Sequence, residues 1–132
     1  MLQSRQLDPA NFSPDEIGAT ALTAFFNITA AWGLTAEEER VLLGSPPRST
    51  FFKWKSEKSA RLSADTLERI SYVMGIYKAL RILLPTEEAA HQWVKKPNTA
   101  RGFNGKSALE RMLAGRVVDL ADVRRYLDAE RG

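Results

Sequence analysis

Apolar residues recur along the chain at three- and four-residue steps, and no segment shows the two-residue alternation of a strand. Ile17, Ala21, Phe25 and Ile28 share one face of a helix that Ser13 caps, with Pro14 in its first turn and Glu16 completing a capping box. Gly33 closes that helix after Trp32. Thr35 and Glu38 form a second capping box ahead of a short helix holding Val41, Leu42 and Leu43, which Gly44 ends. Ser45 is predicted to cap a third helix over residues 46–55, with Pro46 and Pro47 in a first turn that has no use for their missing N–H groups.

Ser63 opens the longest helix, with Leu67, Ile70, Met74, Tyr77 and Leu80 on its inward face and Leu84-Pro85 at its end. Its length makes it the expected central strut. Thr86 caps a fifth helix containing Ala89, Ala90, Trp93 and Val94, which stops before Pro97 because proline disfavours a helical predecessor. After a loop at 97–106, Ser107 and Glu110 form a third capping box for a helix that buries Leu109, Met112 and Leu113 and stops at Gly115. Asp119 is predicted to open the last helix, with Leu120, Val123, Tyr126 and Leu127 inward and Arg124 and Arg125 outward. The fold class is therefore all-α, about seven helices, in three regions: a flexible N-terminus at 1–12, a region at 13–84 and a region at 85–132.

Composition narrows the function. At 132 residues and 44% hydrophobic content the chain can bury a core unaided, and with no cysteine it has neither disulfides nor thiolate chemistry. Residues 1–12 lack the apolar run of a signal peptide and no stretch is long enough to span a bilayer, so a soluble cytoplasmic protein is expected. The net charge of +3 hides an asymmetry: residues 1–47 carry two basic and six acidic groups, residues 48–132 seventeen and ten. The excess lies in Arg48, Lys53, Lys55, Lys58 and Arg61, then in Lys95, Lys96, Arg101 and Lys106, and such fields suit polyanions or acidic protein surfaces.

The first basic cluster falls on the second of two helices, 36–43 and 46–55, joined at Gly44-Ser45. That is the layout of a helix-turn-helix, whose second helix enters the major groove. Phe51 and Trp54 would anchor it, leaving Arg48, Ser49, Phe52, Lys53 and Lys55 pointing away. Arg48 is placed to make a bidentate contact to guanine, Ser49 and Thr50 to reach phosphates or bases, and Lys53, Lys55 and Lys58 to neutralise phosphates. Operator double-stranded DNA is thus an expected partner, and paired half-sites imply a homodimer, with the first helix or residues 70–84 as candidate interfaces.

Catalysis finds no support. Gly102-Phe-Asn-Gly105-Lys106-Ser107 ends like a phosphate-binding loop but has two residues between its glycines where four are needed. His91, the only histidine, has Glu87 one turn before it; two ligands do not make a metal site, and an exposed helix-surface histidine is expected. No nucleophile–base set can be assembled, so no catalytic residue, metal or cofactor is expected. The aromatic residues have the helical spacing of a core.

Leu42-Leu43-Gly44, then Arg48-Ser49-Thr50-Phe51-Phe52-Lys53-Trp54, then Leu62-Ser63 resemble the Xre-type helix-turn-helix of the Xre/MbcA/ParS antitoxins. Trp93, Pro97-Asn98, the run Phe103–Leu109, Gly115 and Val123–Ala129 are similar to the toxin-binding domain of that family. The resemblance implies an antitoxin that sequesters a RES-domain toxin, a NAD-consuming protein with an ADP-ribosyltransferase-like fold, in a complex that represses its own operon. On that basis residues 13–84 are the DNA-binding and dimerisation region and 85–132 the toxin-binding region. The toxin-binding residues are then expected to be Pro97, Asn98, Arg101, Lys106, Arg124, Arg125 and Arg131. The basic ones suit a pocket built for an anionic dinucleotide, so the C-terminal end is expected to block entry of NAD, with arginines that only cap the end of the last helix as the alternative. A stand-alone helix-turn-helix regulator, or an interaction module that no longer binds DNA, are the alternatives on the residues alone.

Overall fold

The structure, a computed structural model, describes residues 11–132. The expected flexible stretch at 1–12 lies, apart from Asn11 and Phe12, outside the described residues. Seven α-helices follow in order among those described: α1 Pro14–Trp32, α2 Ala36–Leu42, α3 Arg48–Glu57, α4 Ala64–Leu83, α5 Glu87–Gln92, α6 Ala108–Met112 and α7 Val117–Arg131. A 3-10 turn at Trp93–Lys95 extends α5.

The local signals set most boundaries. All three serine- and threonine-led capping boxes form: Ser13, Thr35 and Ser107 each accept from the backbone N–H of Glu16, Glu38 and Glu110, whose carboxylates return to the cap N–H. Each such cap stabilises its helix by about 1 kcal/mol. Ser63 and Thr86 cap α4 and α5 through Thr66 and Ala89. Gly33 ends α1 at φ 68°, a left-handed conformation that a side chain would disfavour.

Two boundaries differ from the sequence reading. Ser45 caps nothing; it sits at φ 56°, and Pro46 and Pro47 stay outside the helix, so α3 begins at Arg48 with Pro47 as its N-cap residue. The turn of the helix-turn-helix is consequently longer than Gly44-Ser45. Arg40 ties it down, donating to the Pro46 carbonyl at 2.8 Å. Asp119 does not open α7 but lies in its first turn, and Arg116 is the cap residue.

The core is one contiguous cluster. Leu22, Phe25, Phe26, Ile28 and Trp32 of α1 meet Ile70, Val73, Ile76, Ala79 and Leu80 of α4, and Leu120, Val123 and Leu127 of α7 join the same cluster. Burying each of these large side chains stabilises by roughly 1.5–3 kcal/mol. Helix α4 is the strut, packing against α7 most extensively and then against α1. Its inward face is rotated from the predicted one: Val73 and Ile76 are buried, whereas Met74 is 41% exposed beside Ile17 and Phe12. Apolar residues surround α4 at this level, so spacing alone did not fix the rotation.

Candidate functional site

In the helix-turn-helix, Phe51 is fully buried and meets Phe26 of α1 edge-to-face at 6.0 Å, with Trp54 half-buried behind it. Arg48, Ser49, Phe52, Lys53 and Ser56 are exposed, one stripe along the outer face of α3, and Thr50 is half-buried. Arg48 stands at the first position of the helix, 3.5 Å from Glu37 of α2. The hydrogen bond from Arg40 to Glu37, with the charges of Arg40 and Arg48, holds that carboxyl below its ordinary range despite some desolvation. The Arg48–Glu37 pair is exposed and screened by solvent, so it does not hinder an exchange for a stronger partner.

Lys55 does not point away. Its ammonium turns in to Glu39 at 2.6 Å and lies over the rings of Phe26 and Phe51, at 5.8 and 6.0 Å from their centroids. Glu39 is itself buried and accepts from Thr29 Oγ1 at 2.5 Å. This chain of contacts fastens α2 and α3 to α1. A buried carboxylate needs such partners, since an unpaired one would neutralise or destabilise the fold. Glu39 was not legible as a site residue, because it stands in a row of three glutamates that all look solvated.

The C-terminal region is organised by Arg111, which the sequence reading did not single out. Its guanidinium donates to the Gly102 carbonyl at 2.8 Å, to Asp122 at 2.5 Å and to Asp119 at 3.4 Å, so one side chain ties the 97–106 loop to α7. The same loop is fastened by Phe103, which is buried and meets Tyr126 edge-to-face at 5.0 Å and Trp93 at 6.2 Å. Inside the loop Asn98 exchanges backbone bonds with Lys106 and Gly105, and its Oδ1 accepts from Ala100 N–H at 2.8 Å. Pro97 pairs with Ser107 in an isolated bridge, the one departure from helix and loop among the described residues.

Asp119 is buried at the foot of α7. Burial disfavours its charged form, but hydrogen bonds from the Arg116 side chain and backbone N–H, with Arg111, outweigh that and hold its pKa below the ordinary 3.8. A depressed carboxylate contributes stability that is present above its unfolded value and lost as pH falls through the folded one. Unfolding free energy from urea melts is therefore expected to drop on acidification below about pH 4. Asp119→Asn should lower stability at neutral pH and flatten that acid limb.

The predicted toxin-binding residues divide. Pro97, Arg101 and Lys106 are exposed on the loop, and Asn98 is half-buried as its organiser. Arg125 is exposed and pairs with Asp122 at 2.9 Å, while Arg131 lies 3.9 Å from Asp128. Arg124 does not point outward: its guanidinium lies across Gly75 of α4, where a Cβ would overlap it, and it pairs with Asp128 at 3.0 Å. His91 is likewise not the exposed residue expected. Its ring stacks on Tyr77 at 5.8 Å, and Nε2 is 3.3 Å from the Tyr77 hydroxyl, which joins α5 to α4. Among the described residues no group of His, Asp or Glu side chains is arranged to hold a metal ion, and no helix is long and apolar enough to cross a membrane.

The structure thus carries a helix-turn-helix whose reading helix is exposed, followed by a loop-and-helix unit fixed by Arg111 and three aromatic rings. Comparison with known proteins finds two domain families in order along the chain. Residues 15–75 match the antitoxin Xre-like helix-turn-helix domain, and residues 79–132 match the antitoxin Xre/MbcA/ParS C-terminal toxin-binding domain. A protein of Sinorhizobium fredii, named uncharacterized protein y4oB, is 55% identical over 111 residues, which is 84% of each chain. With both of its domains matched in order, the chain belongs to the Xre/MbcA/ParS family of antitoxins, and is an antitoxin with a DNA-binding helix-turn-helix and a toxin-binding domain.

Proposed function

We propose that this antitoxin binds and inhibits a RES-type, NAD-consuming toxin in the cytoplasm by occupying its active site with the C-terminal end. As a homodimer it also binds operator DNA to repress its own operon. The observation that carries the inhibitory half is the last turn of α7: residues 128–132 are all exposed, on a helix that Arg111, Tyr126 and Leu127 fix rigidly to the rest. A rigid projecting element loses little conformational entropy on insertion, which favours affinity.

The charge pattern refines the way such an insertion works. A pocket that holds the phosphates of a dinucleotide is cationic, and bare arginines would be repelled there. Arg124 and Arg125 arrive compensated by Asp128 and Asp122, Arg131 lies near Asp128, and Glu130 is the remaining acid of the last turn. This end therefore enters with its charges largely paired, and Arg101 and Lys106 on the loop suit acidic surface around the entrance.

Truncation tests this reading. Removing residues 124–132 would also delete Leu127, which is buried, so the informative truncation removes 128–132 only. The truncated chain is expected to fold and to bind toxin more weakly, with inhibition of NAD loss reduced by roughly tenfold or more, the equivalent of about 1.4 kcal/mol. Inhibition that stays complete at equimolar antitoxin would sink active-site occupation by this end.

A further inference from the structure

We propose that Phe52 reads sequence: its ring takes the C5-methyl group of a thymine in the major groove, about two base pairs from the base that Arg48 reaches. The inference rests on the DNA-reading half of the function above. It starts from a side chain that neither the core nor phosphate binding explains. Phe52 is 52% exposed at the centre of the outer stripe of α3, with Arg48 and Ser49 one turn before it, Lys53 beside it and Ser56 one turn after. A phenyl ring in that position forms no hydrogen bond to phosphate, and it interrupts a polar, cationic surface.

Its placement is nevertheless fixed. The buried Phe51 ring meets Phe52 edge-to-face, with centroids 5.1 Å apart and planes at 73°, so the exposed ring is braced from below by an anchored neighbour. It stands at the fifth position of α3, within the N-terminal part of the helix that a helix-turn-helix presents to base edges. Among the groups lining the major groove, the thymine methyl is the apolar one, and phenylalanine is among the side chains that meet it. Four residues of helix advance about 6 Å, and successive base pairs are spaced about 3.4 Å apart. A helix lying along the groove therefore sets the two contacts about two base pairs apart. Arg48 and Phe52 together specify a guanine and a thymine, while Lys53 contributes charge without sequence.

The test selects duplexes from a randomised library with the full chain, free and in its toxin complex. Each thymine of the selected duplex is then replaced singly by deoxyuridine, which removes only the methyl group. Wild-type binding is expected to fall about fourfold at one thymine per half-site, the worth of one buried methyl. Phe52→Ala should bind the thymine and deoxyuridine duplexes equally while keeping the guanine preference. Phe52→Leu should keep part of the discrimination, which guards against a folding defect. Arg48→Ala should do the reverse, losing guanine and keeping the methyl effect. Indifference of the wild type to deoxyuridine at every thymine would overturn the proposal, as would discrimination that survives in Phe52→Ala. Loss of toxin capture in Phe52→Ala without any methyl effect would also overturn it, and would assign the ring to a protein contact. Failure to enrich any duplex would remove the DNA-reading function itself, a distinct result.

Discussion

Arg111→Ala is expected to destabilise the fold by about 2–3 kcal/mol and to weaken toxin capture by tenfold or more, with operator binding unchanged. The guanidinium touches the loop and two acids of α7 together: the Gly102 carbonyl, Asp119 and Asp122. Asp119 is buried, and removing one partner of a buried charge costs more than the pair contributes, because the remaining charge stays desolvated. Arg116 still serves Asp119 and Arg125 still serves Asp122, which keeps the loss below the full cost of an orphaned ion. The loop loses its tether to the α7 acids and keeps the Phe103 contacts and the Pro97–Ser107 bridge, so binding must restore part of its order. Urea melts and toxin titration measure the two effects separately. Toxin affinity unchanged in a destabilised Arg111→Ala would show that the loop stands outside the interface.

Gly18→Ala is expected to be the more damaging change to folding, by about 3 kcal/mol. Gly18 is buried in α1, and a Cβ there would overlap the carbonyl oxygen of Ala60 and lie 2.9 Å from its carbonyl carbon. That carbonyl belongs to the segment linking α3 to α4, so relief of the clash pushes the exit of the helix-turn-helix away from α1. The intrinsic gain of about 1 kcal/mol for alanine over glycine in a helix does not offset a clash with backbone. Gly75→Ala makes the contrast. There the obstacle is the end of the Arg124 side chain, which can swing aside, so the same substitution should leave stability within about 1 kcal/mol. Thermal or urea unfolding of the two variants side by side checks this; equal effects would contradict the distinction between backbone and side-chain obstacles.

The sequence was most legible where structure is local. Three capping boxes and the Gly33 stop were read from residues within four positions of each other, and each formed as read. Ser45 misled because it sits in a left-handed turn and Pro47 is extended, so the helix begins beyond the reach of a Ser45 cap. The all-α class and the helix-turn-helix followed from helical spacing, and the toxin-binding domain from motif residues rather than from physics.

Contacts that join distant segments were hidden. Glu39, Lys55 and Thr29 come from three helices, and nothing in a run of three glutamates marks the third as buried. Arg111 needed the knowledge that Gly102, Asp119 and Asp122 converge on it. Arg124 looked outward from its helix because the notch that receives it is Gly75 on α4, distant in the chain but adjacent in space. Met74 and Val73 exchanged places since both are apolar and adjacent, and only packing against α1 and α7 selects between them.

Inhibition of a RES-type toxin, the proposed function, is decided by co-purification with the product of an adjacent open reading frame of that type, followed by an assay of NAD consumption. The expected result is a stable complex, rapid loss of NAD with the toxin alone, and none once this chain is present in equimolar amount. A neighbouring toxin that consumes NAD as fast in the complex as alone, or that forms no complex, would contradict it.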